Sequence, residues 1–127
     1  FTNYTSTKPI IVLVPGSRRQ EISYMLPVFV KMSNHFKKFQ FVIAATNNFS
    51  LEFYKSFIKS YDIDIVFNET YGILKKSYAA VVTSGTASLE TAFFSVPQVV
   101  CYKTNWLTYF FAKMINLLLI KHIHENN

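Results

Sequence analysis

With 127 residues the chain has the length of one domain. Half of its residues are apolar and only 16% are charged, which excludes a disordered chain; three glycines and four prolines exclude a low-complexity or collagen-like one. The net charge of +6 favours a partner carrying phosphate or an anionic membrane surface, whereas the single cysteine, Cys101, excludes an internal disulfide and fits a reducing, cytosolic setting.

The elements read in chain order as follows. Ile10 to Val14 (IIVLV) is a continuous β-branched run, as a strand covered on both faces should be. Pro15-Gly16-Ser17 breaks it. Ile22, Met25, Leu26, Phe29, Ser33 and Phe36 then mark one helical side at spacings of three and four. Ser17-x-x-Gln20 has the form of a capping box, which predicts a helix beginning just after Ser17. Gln40 to Ala45 is a second strand, and Ser50 to Ser60 a helix with Leu51, Tyr54, Phe57 and Ile58 on one side. Ile63 to Phe67 is a third strand, Thr70 to Ser77 a short helix, and Ala79 to Thr83 a fourth strand. Ser84 or Thr86 caps a helix to about Ser95, with Leu89, Ala92, Phe93 and Val96 facing inward and Pro97 ending it. Gln98 to Tyr102 is a fifth strand, and a last helix follows from about Asn105.

Alternating strands and helices at this spacing predict βαβ units and a parallel sheet. The expected fold class is α/β, one doubly wound parallel sheet in the order 3-2-1-4-5. That order reverses direction between strands one and four, and such sheets bind ligands beyond the carboxyl ends of those strands. The loops after Val14 and after Thr83 therefore become the candidate site.

The first loop reads Pro15-Gly16-Ser17-Arg18-Arg19-Gln20-Glu21. Gly16 lets the backbone take positive φ or approach a ligand closely. The amides at the helix start favour an anion, Ser17 offers a hydroxyl, and Arg18 offers a fork for phosphate oxygens. The second loop, Ser84-Gly85-Thr86-Ala87-Ser88-Leu89-Glu90, supplies further amide and hydroxyl donors. Glu90 lies one turn beyond Thr86; a carboxylate there suits the vicinal hydroxyls of a ribose rather than a phosphate. Each loop alone reads equally as a capped helix with solvated charges. Together, in one crevice, they describe a site for a nucleoside diphosphate.

Other residues point elsewhere. His122 and His124 are two apart with no Cys or carboxylate cluster beside them, and His35 stands apart, so no metal site is expected. No Ser/His/Asp arrangement stands out. Asp62 and Asp64 read as solvated, and Cys101 as a small buried hydrophobe. Tyr102 and Lys103 end the fifth strand near the same rim. The basic residues are dispersed in short pairs (Arg18-Arg19, Lys37-Lys38, Lys75-Lys76) without an RNA-module signature, so no nucleic-acid partner is expected. The aromatic stretch Trp106, Tyr109, Phe110, Phe111 lies on several sides of its helix. That predicts a helix over 105–120 buried against another domain or lipid, too short for the roughly 20 residues of a membrane span. Residues 1–8 lack the apolar stretch of a signal peptide.

The segment LVPGSRRQEI resembles the LLPGSRxxEI segment of lipid-A-disaccharide synthases, and VTSGTASLETAFFSVPQVVCYK resembles their second signature, SGTAxLE followed by P-x-V-V-x-Y. The resemblance covers roughly Pro9 to Ala112. It implies the C-terminal, Rossmann-like domain of a two-domain GT-B glycosyltransferase, inverting and metal-independent, with no cofactor. The family joins UDP-2,3-diacylglucosamine to 2,3-diacylglucosamine 1-phosphate at the inner face of the bacterial cytoplasmic membrane, giving lipid A disaccharide 1-phosphate and UDP. Carried onto this chain, it implies nucleotide contacts from Gly16, Ser17, Arg18, Ser84, Gly85, Thr86 and Glu90. Arg18 would neutralise charge on the leaving diphosphate. Family members are considerably longer, so the resemblance also implies a single-domain fragment over 1–127. Residues 1–8 would be a remnant of the inter-domain linker. The acceptor domain, with its expected general base, would be missing, and the fragment inactive alone. The family's S-L-x-N stretch is not evident after Ile120. Acyl preference and oligomeric state stay open. So do two alternatives: another GT-B enzyme of UDP-N-acetylglucosamine (a glycosyltransferase or 2-epimerase), and a non-catalytic basic module docking on membrane.

Overall fold

A computed structural model describes residues 2–83 and 98–101. The elements are β1 (Ile10–Val14), α1 (Arg19–Ser33), β2 (Gln40–Ala45), α2 (Leu51–Ile58), β3 (Ile63–Phe67), α3 (Thr70–Lys76), β4 (Ala79–Thr83) and β5 (Gln98–Cys101). The five strands form one parallel sheet in the order β3-β2-β1-β4-β5. Its register runs Leu13↔Ile43 between β1 and β2, Val14↔Val82 between β1 and β4, and Thr83↔Cys101 between β4 and β5. The predicted helix over residues 84–95 and the helix over 105–120 lie outside the described residues.

Helices cover both faces of this sheet. All five residues of β1 are buried, and they divide by alternation. Ile11 and Leu13 join Phe41, Ile43, Ala79 and Val81 under α1 and α2, with Ile22, Leu26, Phe29 and Tyr54 as the helical partners. Ile10, Val12 and Val14 join Val42, Ala44, Ala80 and Val82 under α3, which contributes Ile73 and Leu74. A strand apolar at every position is what two covered faces require. β3 forms one side of the sheet and carries the exposed Asp64, a charge of the kind that blunts an open strand edge.

The helix boundaries show which local signals won. Ser50 caps α2 by accepting from the Phe53 amide at 3.1 Å. The helix stops before the expected Ser60 because Lys59 turns to φ 43°. Leu51, expected to face inward, is 39% exposed, since it sits at the first turn before α2 settles on the sheet. α1 likewise ends at Ser33, whose hydroxyl donates to the Val30 carbonyl at 2.6 Å; Phe36 packs from the turn that follows. The capping box expected at Ser17 does not form: the N-cap is Arg18, without a side-chain cap bond, and α1 begins at Arg19. Gly16, at φ 106°, reverses the chain first and shifts the helix start by one residue.

Residues 2–8 lie on the domain. Thr2 is buried, Tyr4 packs against the core on the α3 side, and the Tyr4 hydroxyl donates to the Asp64 carboxylate. The Lys76 ammonium donates to the carbonyls of Thr2 (3.2 Å) and Tyr4 (2.9 Å). Burial, with the Asp64 hydrogen bond second, pushes the Tyr4 phenol well above its ordinary value. Asp64, expected to be simply solvated, is thus a hydrogen-bonded anchor.

Charge is sorted along the strands. The lysines among the described residues fall in the last helical turns (Lys31, Lys55, Lys75, Lys76), just after them (Lys37, Lys38, Lys59) or before β1 (Lys8). In a doubly wound unit that is the amino end of the sheet. Arg18 and Arg19 stand at the opposite end, with Glu21 and Glu52 in first turns. The last-turn lysines and first-turn glutamates complement the helix dipoles, whereas Arg18 and Arg19 stand at the positive end of α1.

Candidate nucleotide-binding crevice

Because β1 and β4 are parallel neighbours, the chain leaving Val14 and the chain leaving Thr83 start from the same end of the sheet, side by side. β2 follows on one side of β1 and β4 on the other, so this is the point where the winding reverses. The first loop is therefore at the crevice. Pro15 is buried, Gly16 half-buried, and Ser17 and Arg18 are exposed.

Gly16 is required here by its backbone conformation, with the Glu21 side chain a smaller obstacle. Its φ of 106° is one that L side chains rarely adopt. A Cβ would also collide with the Glu21 carboxylate and lie 2.9 Å from Glu21 Cγ. Arg18 is extended (φ −105°, ψ 141°), and its carbonyl accepts from the Ile22 amide at 2.9 Å, the first bond of the helix. The amides of Arg19, Gln20 and Glu21 have no acceptor within α1, so the helix presents donors at this end. The loop thus brings together Gly16, Ser17, Arg18 and a helix start, as an anion seat needs. Ser84, Gly85, Thr86 and Glu90, with Tyr102 and Lys103, lie outside the described residues.

Several neighbours were not evident from the sequence. Glu21 closes over Gly16 from the first turn of α1. The Arg19 guanidinium lies over two rings, 4.8 Å from the Phe53 centroid and 5.4 Å from that of Phe49. Those rings stack at 4.8 Å, and Tyr54 meets both edge-on. Tyr54 Oη accepts from the Thr46 amide at 3.2 Å, while Thr46 Oγ1 is buried without a partner. Asn68, at φ 58°, donates from Nδ2 to Asn47 Oδ1 at 2.7 Å and from its amide to the Ala45 carbonyl at 3.0 Å, tying the loop after β3 to the end of β2. The only advance signal was Asn68 itself, a residue type that tolerates the left-handed region.

A cavity of about 500 Å³ opens at the other end of the sheet, between Lys8, Lys37, Phe41 and Asp62. It lies at the amino ends of the strands, away from the reversal point. Among the described residues no three His, Cys, Asp or Glu side chains group as metal ligands, and no helix is long and apolar enough to cross a membrane.

The fold and this loop define a doubly wound α/β domain with a glycine turn and an exposed helix start at its reversal point. The sequence profile of the lipid-A-disaccharide synthetase family matches residues 2–123. The chain is 35% identical over 117 residues to a lipid-A-disaccharide synthase of Coxiella burnetii (strain Dugway 5J108-111), covering 89% of this chain and 31% of that protein. It is 33% identical over 120 residues to the enzyme of that name from Syntrophus aciditrophicus (89% and 31%) and 36% identical over 114 residues to one from Campylobacter jejuni strain RM1221 (89% and 30%). The chain belongs to the lipid-A-disaccharide synthetase family, glycosyltransferases of lipid A biosynthesis. It spans about a third of the length of these relatives.

Proposed function

We propose that this chain is the UDP-sugar-binding part of a glycosyltransferase that joins UDP-2,3-diacylglucosamine to 2,3-diacylglucosamine 1-phosphate, giving lipid A disaccharide 1-phosphate and UDP. The observation that carries the reading is the Gly16 turn: a glycine at φ 106° at the end of β1, followed by an exposed Ser17-Arg18 and a helix start, at the reversal point. The diphosphate sits on the amides of that helix start, with the Arg18 fork on its oxygens. As the glycosidic bond to the leaving UDP breaks, negative charge grows on the diphosphate, and Arg18 stabilises it. Ser84, Gly85 and Thr86 complete the seat from the neighbouring loop, and Glu90 takes the ribose hydroxyls. In this reading the acceptor binds to, and the general base stands on, the N-terminal domain of a GT-B enzyme. The enzyme works as a peripheral protein at the inner membrane.

Calorimetric titration with UDP tests the reading. UDP binds the protein, and Arg18→Ala and Glu90→Ala each abolish or strongly weaken binding. A folded protein that ignores UDP would refute it. Competition by acylated against unacylated UDP-glucosamine separates this enzyme from other GT-B enzymes of UDP-N-acetylglucosamine.

A further inference from the structure

We infer that Arg19 is a positioning residue: its guanidinium, clamped over Phe49 and Phe53, holds the start of α1 so that the Gly16–Arg18 loop keeps its anion-binding shape. The inference rests on the proposed nucleotide seat. Two adjacent arginines stand at the crevice, and the structure gives them different work. Arg18 is the exposed N-cap, in extended backbone, with no side-chain cap bond. Arg19 is the first residue of the helix, and its cation lies 4.8 Å and 5.4 Å from two ring centroids. Although Arg19 is exposed like Arg18, a guanidinium spread over aromatic faces is oriented by them.

The clamp connects parts that the backbone leaves separate. Phe49 belongs to the loop after β2, and Phe53 to the first turn of α2. Both pack on the fully buried Tyr54, whose hydroxyl accepts from the Thr46 amide at the end of β2. Arg19 thereby ties the first turn of α1 to the first turn of α2 and, through Tyr54, to the sheet. α1 needs such a tie because its N-cap supplies no side-chain bond of its own. Without the clamp the first turn frays, and the amides that face the diphosphate lose their common direction.

The test is UDP affinity and its salt dependence in the unsubstituted protein, Arg18→Ala, Arg19→Ala, Arg19→Lys and Phe53→Leu. Arg19→Ala is expected to weaken UDP about 5- to 30-fold with an unchanged salt dependence, since Arg19 carries no phosphate contact. Arg18→Ala flattens the salt dependence. Phe53→Leu reproduces Arg19→Ala, the double variant is no worse than either single one, and Arg19→Lys, which keeps a cation near the rings but loses the planar stack, recovers only part of the loss. Two results overturn the positioning role alone: UDP affinity unchanged in Arg19→Ala, or a loss accompanied by a flatter salt dependence, which would make Arg19 a direct phosphate ligand. Absence of UDP binding by the unsubstituted protein overturns the nucleotide seat, and this role with it.

Discussion

At the scale of single residues, two positions carry costs that the rest of the domain offsets. Gly16 occupies a conformation that an L residue enters at about 1–3 kcal/mol, and its missing Cβ leaves room for the Glu21 side chain. Gly16→Ala should therefore lower stability by about that amount, visible as a lower urea midpoint at unchanged slope. UDP affinity should fall further than stability does, because the loop itself is displaced. Thr46 presents the opposite case. Its buried hydroxyl has no partner, at a cost of about 1–3 kcal/mol for such groups. Thr46→Val keeps the shape and the amide bond to Tyr54, so it should raise stability by about 1 kcal/mol; a fall in the midpoint would mean that the hydroxyl is satisfied. Neither residue could be weighed from sequence alone. A glycine after a strand announces a turn, but the carboxylate above it is a matter of tertiary approach.

At the scale of elements, local chemistry was legible where it acted within one turn and illegible where it competed. Ser50 reads as a cap and is one: its hydroxyl accepts from the Phe53 amide. Ser50→Ala should cost about 1 kcal/mol, measured by chemical denaturation. It should also loosen the first turn of α2, on which Arg19 rests. Ser17 carries the same kind of signal and does not cap, because the Gly16 turn shifts the helix start to Arg19. The arginine–phenylalanine clamp was illegible for another reason. Arg19 and Phe53 are far apart in sequence, and nothing in their spacing announces a meeting. The segment before β1 behaves as an element too. Since its Tyr4 phenol is held neutral by burial and by Asp64, folding binds that proton more tightly than the unfolded chain does. Its contribution is complete below the ordinary tyrosine value of 10.0 and is lost as pH rises above it. Thermal melts above about pH 10 should show a steeper loss in the unsubstituted protein than in Tyr4→Phe; parallel curves would exclude the linkage.

For the whole molecule, the parallel sheet was legible because continuous apolar runs such as Ile10 to Val14 and Gln40 to Ala45 separate amphipathic stretches, a pattern that requires both faces covered. That geometry in turn directs attention to the ends of β1 and β4 before any motif is considered. Three of the seven expected site residues, Gly16, Ser17 and Arg18, lie there; the other four, Ser84, Gly85, Thr86 and Glu90, are outside those described. The family match over residues 2–123 includes this loop.

The sorting of charge along the strands has a consequence for how a nucleotide arrives. The described part of the domain is an electric dipole whose positive pole, built of lysines, points away from the crevice. An anion approaching from a distance is drawn by these lysines toward the wrong end, so their charge does little to speed its capture. Retention then depends on short-range contacts at a single turn of helix, and ionic strength should act on the occupancy of the crevice chiefly through Arg18.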